Sequence, residues 1–159
     1  MNRTYMEENK TDQYQLLTEQ GKALVEGIPY RIANLSNLSA LIWQTLEEIN
    51  WAGFSLVEDG ALILGPFQGK PACIRIPFGK GVCGTAARED RTVRVEDVHQ
   101  FPGHIACDCD SRSEIVVPLH KDGKLLGVLD IDSPVTGRFT EADQEGLEAF
   151  VKAIEPLLG

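Results

Sequence analysis

Two thiols, Cys107 and Cys109, stand in the polar, turn-rich stretch 103–113, just before the apolar run Ile115-Val116-Val117. A cysteine placed there is positioned to react, because reactivity follows the thiolate and its access to solvent, and His104 and Arg112 are nearby cations able to lower its pKa. The alternative is a pair of ordinary reduced cysteines, since a free thiol often behaves as a small hydrophobe. Cys73 and Cys83, farther upstream, weigh toward redox chemistry.

Carboxylates form the second group. Along Leu125-Leu126-Gly127-Val128-Leu129-Asp130-Ile131-Asp132, a period of two puts Leu126, Val128, Asp130 and Asp132 on one face, with same-face neighbours about 6–7 Å apart. Burying ionised carboxylates costs several kcal/mol unless they are paired, and two together raise each other's pKa. Such a pair calls for a cation or a proton, unless the strand is leaving the core and both acids are solvated. Glu114, at the entry of the preceding strand, is placed to lie across from them. Three converging acids suit an ammonium ligand, or one acid kept protonated as a proton donor.

Other candidates carry less. His99, His104, Cys107 and Cys109 make an H-x4-H-x2-C-x-C cluster of zinc-type ligands, but C-x-C is not the usual knuckle and there is no second pair. No metal and no other cofactor is expected. Gly79, Gly81 and Gly84 precede a short helix, yet neither phosphate-loop nor dinucleotide spacing is present. Trp51 opens a strand, where a large aromatic can wall a small-ligand pocket or simply pack in the core. Trp43 sits in a helical apolar stripe and belongs to the core or its rim, and His120, beside a hairpin turn, belongs to the surface.

The elements that position these residues follow from periodicity. A helix is expected over about 9–27, closed by Gly27 and Pro29, and a second from near Asn34 with Leu35, Leu38, Leu41, Ile42, Leu46 and Ile49 at helical steps. Strands 51–57 and 61–65 flank the turn Glu58-Asp59-Gly60. Residues 73–78 read as a third strand, at an edge or ending at Pro77. A short helix over 82–89, a short strand over 92–95 and a long irregular connection over 96–112 come next; connections of that length are commonly functional. A hairpin of 114–119 and 125–132 precedes a last helix capped by Thr140 with Asp143 three residues on. The fold class is α+β: an antiparallel sheet flanked by N- and C-terminal helices, one domain over 1–159 with its core at about 14–158.

Bulk properties agree with one globular domain: 159 residues, 43% hydrophobic, 25% charged. Twenty-four acidic against 15 basic residues give a formal charge of -9, which repels phosphate backbones and anionic lipids, so neither nucleic acid nor membrane is an expected partner. No apolar run approaches the roughly 18 residues of a membrane span, and the first twenty residues lack a signal-peptide core. A cytoplasmic protein is expected, in which any disulfide is transient.

Gly-Val-Leu-Asp-Ile-Asp at 127–132 and Phe-Thr-Glu-Ala-Asp at 139–143, in this helix-sheet-helix layout, resemble a GAF domain. With Trp51-Ala-Gly-Phe, the stretch 73–86 from Cys-Ile-Arg-Ile-Pro-Phe-Gly-Lys-Gly-Val-Cys to Gly-Thr-Ala, and Gly103-His-Ile-Ala-Cys107, the chain resembles the free methionine-(R)-sulfoxide reductases, a stand-alone GAF family acting on the free amino acid. The resemblance runs from about Tyr14 to the C-terminus. It implies that Cys107 is the nucleophile, Cys73 its disulfide partner and Cys83 an auxiliary thiol that joins the relay. It also implies that Glu114, Asp130 and Asp132 surround the substrate and that Trp51 lies near its methyl end. Implied partners are free methionine-(R)-sulfoxide, thioredoxin or a similar dithiol, and a second copy in a homodimer. Cys109 departs from the pattern. A bridge from Cys109 to Cys107 would close a strained ring, so it is expected to be a bystander, or else a substitute resolving thiol. The rival readings are a non-catalytic GAF ligand sensor and a redox or metal sensor.

Overall fold

The computed structural model describes residues 3–103 and 110–159, with side chains from residue 9 onward. The sheet has six antiparallel strands in the order β3-β2-β1-β6-β5-β4. Helices α1 (Arg3–Val25), α2 (Arg31–Thr45) and α4 (Glu141–Ile154) cover one face, and α3 (Gly81–Glu89) the other. Tyr14, Leu17 and Val25 form the buried stripe of α1, and Leu35, Leu38, Leu41 and Ile42 that of α2. Helix α2 starts three residues before the expected Asn34. That residue is instead a buried anchor, its Nδ2 donating to the carbonyls of Ile28 and Leu158.

The strands are β1 (Trp51–Glu58), β2 (Ala61–Gly69), β3 (Arg75–Pro77), β4 (Val93–Val95), β5 (Ser113–Lys121) and β6 (Lys124–Ser133). Both tight hairpins turn on an Asp-Gly pair, Asp59-Gly60 and Asp122-Gly123, with all four residues at positive φ. That is the geometry whose twist matches paired strands. Strand β2 runs four residues beyond the expected Gly65. Its register slips between Gly53 and Ser55 of β1, which places Gly65 and Pro66 together opposite Phe54, and a bulge accommodates the proline. Strand β3 is an edge strand, as Pro77 requires, but it begins at Arg75. Cys73 therefore lies in an irregular segment and not in the strand expected over 73–78. The connection after β4 includes a 3-10 turn, Val98–Gln100, capped by the Asp97 carboxylate. Trp43 is 38% exposed, at the rim.

Alternation sorts the central strands between two cores. Ala52, Phe54, Ile115, Val117, Leu119, Leu129 and Ile131 face the three-helix layer. Val116 and Val128 face α3, where they meet Val82, Ala86 and Ala87. The expectation that Leu126 shares the face of Val128, Asp130 and Asp132 is corrected by the register. Leu119 pairs with Gly127 but His120 with Leu125, so Leu126 is an extra residue at a bulge. It turns to the helical layer while Leu125 packs on the α3 side. The capping box at α4 forms as read, with Thr140 and Asp143 exchanging side-chain-to-backbone bonds. Among the described residues, no helix is long and apolar enough to cross a membrane.

Candidate active site

On the α3 face, register builds a row of side chains across three strands. Asp132 of β6 pairs with Trp51 of β1 on one side and with Glu114 of β5 on the other. One step along, Asp130 stands between Gly53 and Val116. Opposed residues in a ladder stand about 4.5–5.5 Å apart, so the three acids converge, and all three line one cleft with Trp51, Cys73 and Cys83. Glu114 is 8% and Asp130 9% exposed. The solvated alternative is thereby set aside for Asp130, Asp132 is half-buried, and Glu114 pairs directly with Asp132.

Cys83 occupies the third position of α3, and its Sγ lies 3.8 Å from Glu114 Oε2. A helix N-terminus ordinarily lowers a thiol pKa. Here burial opposes it, and the carboxylates of Asp130, Glu114 and Asp132 add to that opposition, so the thiol is pushed well above its usual value. Burial wins because the thiolate would sit in low dielectric among anions. Glu114 is raised for the same reasons: desolvation first, then the charges of Asp130 and Asp132, with its proton shared toward them. Glu114 is thus biased toward its protonated form. Asp130 Oδ1 is buried and meets no donor among the described residues.

The cleft wall is held by Trp51. Its ring stacks on Phe67 with centroids 5.0 Å apart, and Nε1–H donates to the Lys70 carbonyl at 3.0 Å. Gly69 permits the approach, since a Cβ there would meet Trp51 Cδ1 at 2.6 Å. Lys70 also pairs through Nζ with Asp110 at 2.5 Å, joining the segment before Cys73 to the segment before β5. Asn50 Nδ2 donates to Ser111 Oγ at 3.2 Å across the same mouth. Sequence reading did not single out Lys70, Asn50 or Ser111; the one local signal was their closeness in sequence to Trp51, Cys73 and Glu114.

Cys73 is disulfide-bonded, to a residue outside the described ones. Cys107, Cys109 and His104 also lie outside the described residues. Of the histidine-cysteine cluster only His99 is described, and its Nδ1 is engaged by Asp97 at 3.2 Å. His120 is at the surface, but it is not idle: Nε2 meets Asp90 Oδ1 at 2.7 Å and its backbone N–H donates to Glu155.

A curled antiparallel sheet with helices on one face and an acid-lined, cysteine-bearing cleft on the other defines a GAF domain, and residues 23–156 match the GAF domain family. The chain is 54% identical over 150 residues to the free methionine-R-sulfoxide reductase of Escherichia coli, covering 94% of this chain and 91% of that protein. The reduced form of fRMsr of Staphylococcus aureus superposes with a TM-score of 0.89 at 60% identity, covering 92% of this chain and 95% of that one. Free methionine-R-sulfoxide reductase from Neisseria meningitidis, in complex with its substrate, gives 0.89 at 43% identity, covering 94% and 90%. The chain belongs to the free methionine-R-sulfoxide reductase family of GAF domains.

Proposed function

We propose that this protein reduces free L-methionine-(R)-sulfoxide to methionine through a cysteine sulfenic acid and an intramolecular disulfide. The observation that carries the reading is the placing of a disulfide-bonded cysteine, Cys73, in the wall of a cleft whose opposite side is Glu114, Asp130 and Asp132. Redox sulfur and an anionic floor together suit a small sulfoxide bearing a free ammonium group.

Cys107 is the nucleophile. Its thiolate attacks the sulfoxide sulfur, the oxygen passes to Cys107 as a sulfenic acid, and methionine leaves with its sulfur reduced by two electrons. Sulfenic acids condense with a second thiol, so Cys73 displaces the hydroxyl as water and a Cys73–Cys107 disulfide forms. An external dithiol of the thioredoxin type returns both thiols by exchange. The sulfur–oxygen bond breaks only as the oxygen gains a proton. Glu114 supplies it, being the acid that burial and the neighbouring aspartates keep neutral. Asp130 and Asp132 receive the substrate ammonium, and the buried Asp130 Oδ1 gains a donor on binding. Trp51 packs near the methyl end. Cys83, with its pKa raised, is an auxiliary thiol, slow to enter the relay. Methionine within a polypeptide lacks the free amine and forfeits that ion pairing. The protein works as a homodimer in the cytoplasm.

The test is methionine release from separated R and S epimers of free methionine sulfoxide, with dithiothreitol as reductant and a peptide-bound sulfoxide as control. Turnover of free R alone is expected. No turnover of any of them would sink the enzymatic reading in favour of a ligand-binding GAF sensor. Cys107→Ser with full activity would sink the choice of nucleophile.

A further inference from the structure

The chain around Cys73 differs in charge from the rest of the protein. From Gly60 to Arg88 there is no acid, while Lys70, Arg75, Lys80 and Arg88 are basic, in a protein of formal charge -9. Lys70 is paired with Asp110. Arg75, Lys80 and Arg88 are exposed and make no ion pair among the described residues. Lys80 lines the same cleft as Cys73, and the Arg88 guanidinium lies over the neighbouring Gly79, where an added Cβ would come within 2.9 Å of Nη1. Apolar surface accompanies the charge. Ile74, next to Cys73, is 73% exposed, more than any other large apolar side chain among the described residues, and Pro71 and Pro77 are exposed on either side of it in the chain.

Scattered exposed apolar residues and surface cations are ordinary. What joins them here is Cys73, half-buried and disulfide-bonded. A disulfide opens when a thiolate reaches one of its sulfurs, so a macromolecular reductant must cover the surface around it. The net charge of -9 repels an acidic partner at a distance. Near Cys73 the acid-free rim reverses that sign within a screening length of about 8 Å. The local field therefore admits and orients a negatively charged partner at this one margin of the molecule.

We propose that Ile74, Arg75, Lys80 and Arg88 form the docking surface for an acidic dithiol protein of the thioredoxin type, whose reactive thiol emerges from an apolar face. Ile74 packs on that face, and the three cations meet the carboxylates around it. Lys70, held through Nζ by Asp110 and through its carbonyl by Trp51, braces the segment from behind. The partner's thiolate attacks Cys73 Sγ: a disulfide forms between the two proteins and the intramolecular one breaks, its other cysteine taking up a proton as a thiol. The partner's second thiol then displaces Cys73, so two electrons pass to the chain and the partner departs as a disulfide. The purpose of this exchange rests on the proposed reductase cycle; the docking rests on the Cys73 disulfide alone.

The oxidised, full-length protein is mixed with limiting thioredoxin, thioredoxin reductase and NADPH in the absence of any sulfoxide, and disulfide reduction is read as NADPH consumed. Dithiothreitol, small and uncharged, is the parallel reductant. Ile74→Ser and Arg75→Glu are the variants, since both side chains are exposed and neither lines the cleft. Each should lower the second-order rate constant with thioredoxin about tenfold and leave the dithiothreitol rate unchanged. Added salt should slow the thioredoxin reaction of the parent more than that of Arg75→Glu. A thioredoxin rate unchanged in either variant, an equal loss with dithiothreitol, or no reduction of the parent by thioredoxin overturns the surface. So does a change in the oligomeric state of Ile74→Ser in the ultracentrifuge, which would assign the apolar tip to a second copy of the chain. Variant-sensitive reduction by thioredoxin without turnover of any sulfoxide epimer would retire the reductase reading and leave the docking surface standing, whereas turnover with dithiothreitol alongside thioredoxin rates blind to the variants would do the reverse.

Discussion

The thiol of Cys83, in the first turn of α3, faces the carboxyl of Glu114, at the start of β5, across 3.8 Å. Each is buried, and the Glu114 carboxylate is one of the charges that oppose ionisation of the thiol. Burial and the neighbouring Asp130 and Asp132 push both groups toward their protonated forms.

Glu114→Gln should lower kcat about 10²–10⁴-fold, the range for removing a general acid. In the parent enzyme activity should fall as pH rises through the raised native pKa of Glu114, and the variant should lose that alkaline limb. A pH–rate profile of both checks it.

The same substitution should stabilise the fold at neutral pH. The native pKa of Glu114 is raised by burial and by the charges of Asp130 and Asp132, whereas in the unfolded chain the group ionises above about pH 4.3. The native state therefore binds the extra proton, and stability falls as pH rises from the unfolded value toward the native one. Thermal melts should place Glu114→Gln above the parent at pH 7 and level with it at pH 4.

Cys83 should be the slowest thiol to alkylate. Burial and three carboxylates deplete its thiolate, so iodoacetamide at pH 7.5 should label it about tenfold or more slowly than an exposed free cysteine. Mass spectrometry of peptides from the native protein gives the rates. Equal rates would mean that the cleft floor opens readily.

Tyr14 and Asp143 predict a stability effect remote from the cleft. Tyr14 O–H donates to Asp143 Oδ1 at 2.7 Å, and Lys10, Arg138 and the Thr140 N–H reach the same carboxylate. Burial works to raise this acid, but the Lys10, Thr140 and Tyr14 hydrogen bonds and the Arg138 charge outweigh it and hold it below the ordinary range. Tyr14→Phe should cost about 1 kcal/mol and Asp143→Asn about 3 kcal/mol in urea unfolding at pH 7. The stabilisation is present above the unfolded value of about 3.9 and is lost as pH falls through the lower native value, so the Asn variant should approach the parent in acid.

Trp51→Phe removes the bond to the Lys70 carbonyl and leaves an aromatic ring against Phe67. KM should rise several-fold, in keeping with about 1 kcal/mol for one hydrogen bond, with kcat less affected. An unchanged KM would detach Trp51 from substrate positioning.

Much of this was legible because it is local. The capping box at Thr140, the Asp-Gly hairpins and the placing of Glu114 opposite Asp132 follow from turn chemistry and period-two alternation. The Leu126 bulge was not, since an extra residue beside a tight turn leaves no mark in composition and only the pairing of the other strand reveals it. Strand β3 was overextended to Cys73 because its apolar alternation continues past the last paired residue. The Tyr14–Asp143 contact spans 129 residues, a distance at which periodicity carries no information. The rise of Glu114 was foreseen only as a choice among three acids; burial of its surroundings made the choice.

The sheet order has a further consequence. The acids sit on β5 and β6, inside the sheet and flanked by strands on both sides, whereas Cys73 sits beyond β2, in irregular chain leading to the edge strand β3. In the language of amide hydrogen exchange, the recognition floor belongs to the slowest-exchanging unit and the covalent switch to a fast-exchanging one. On the proposed cycle, successive redox states share one protected centre, and the record of the last turnover is written at the margin of the sheet.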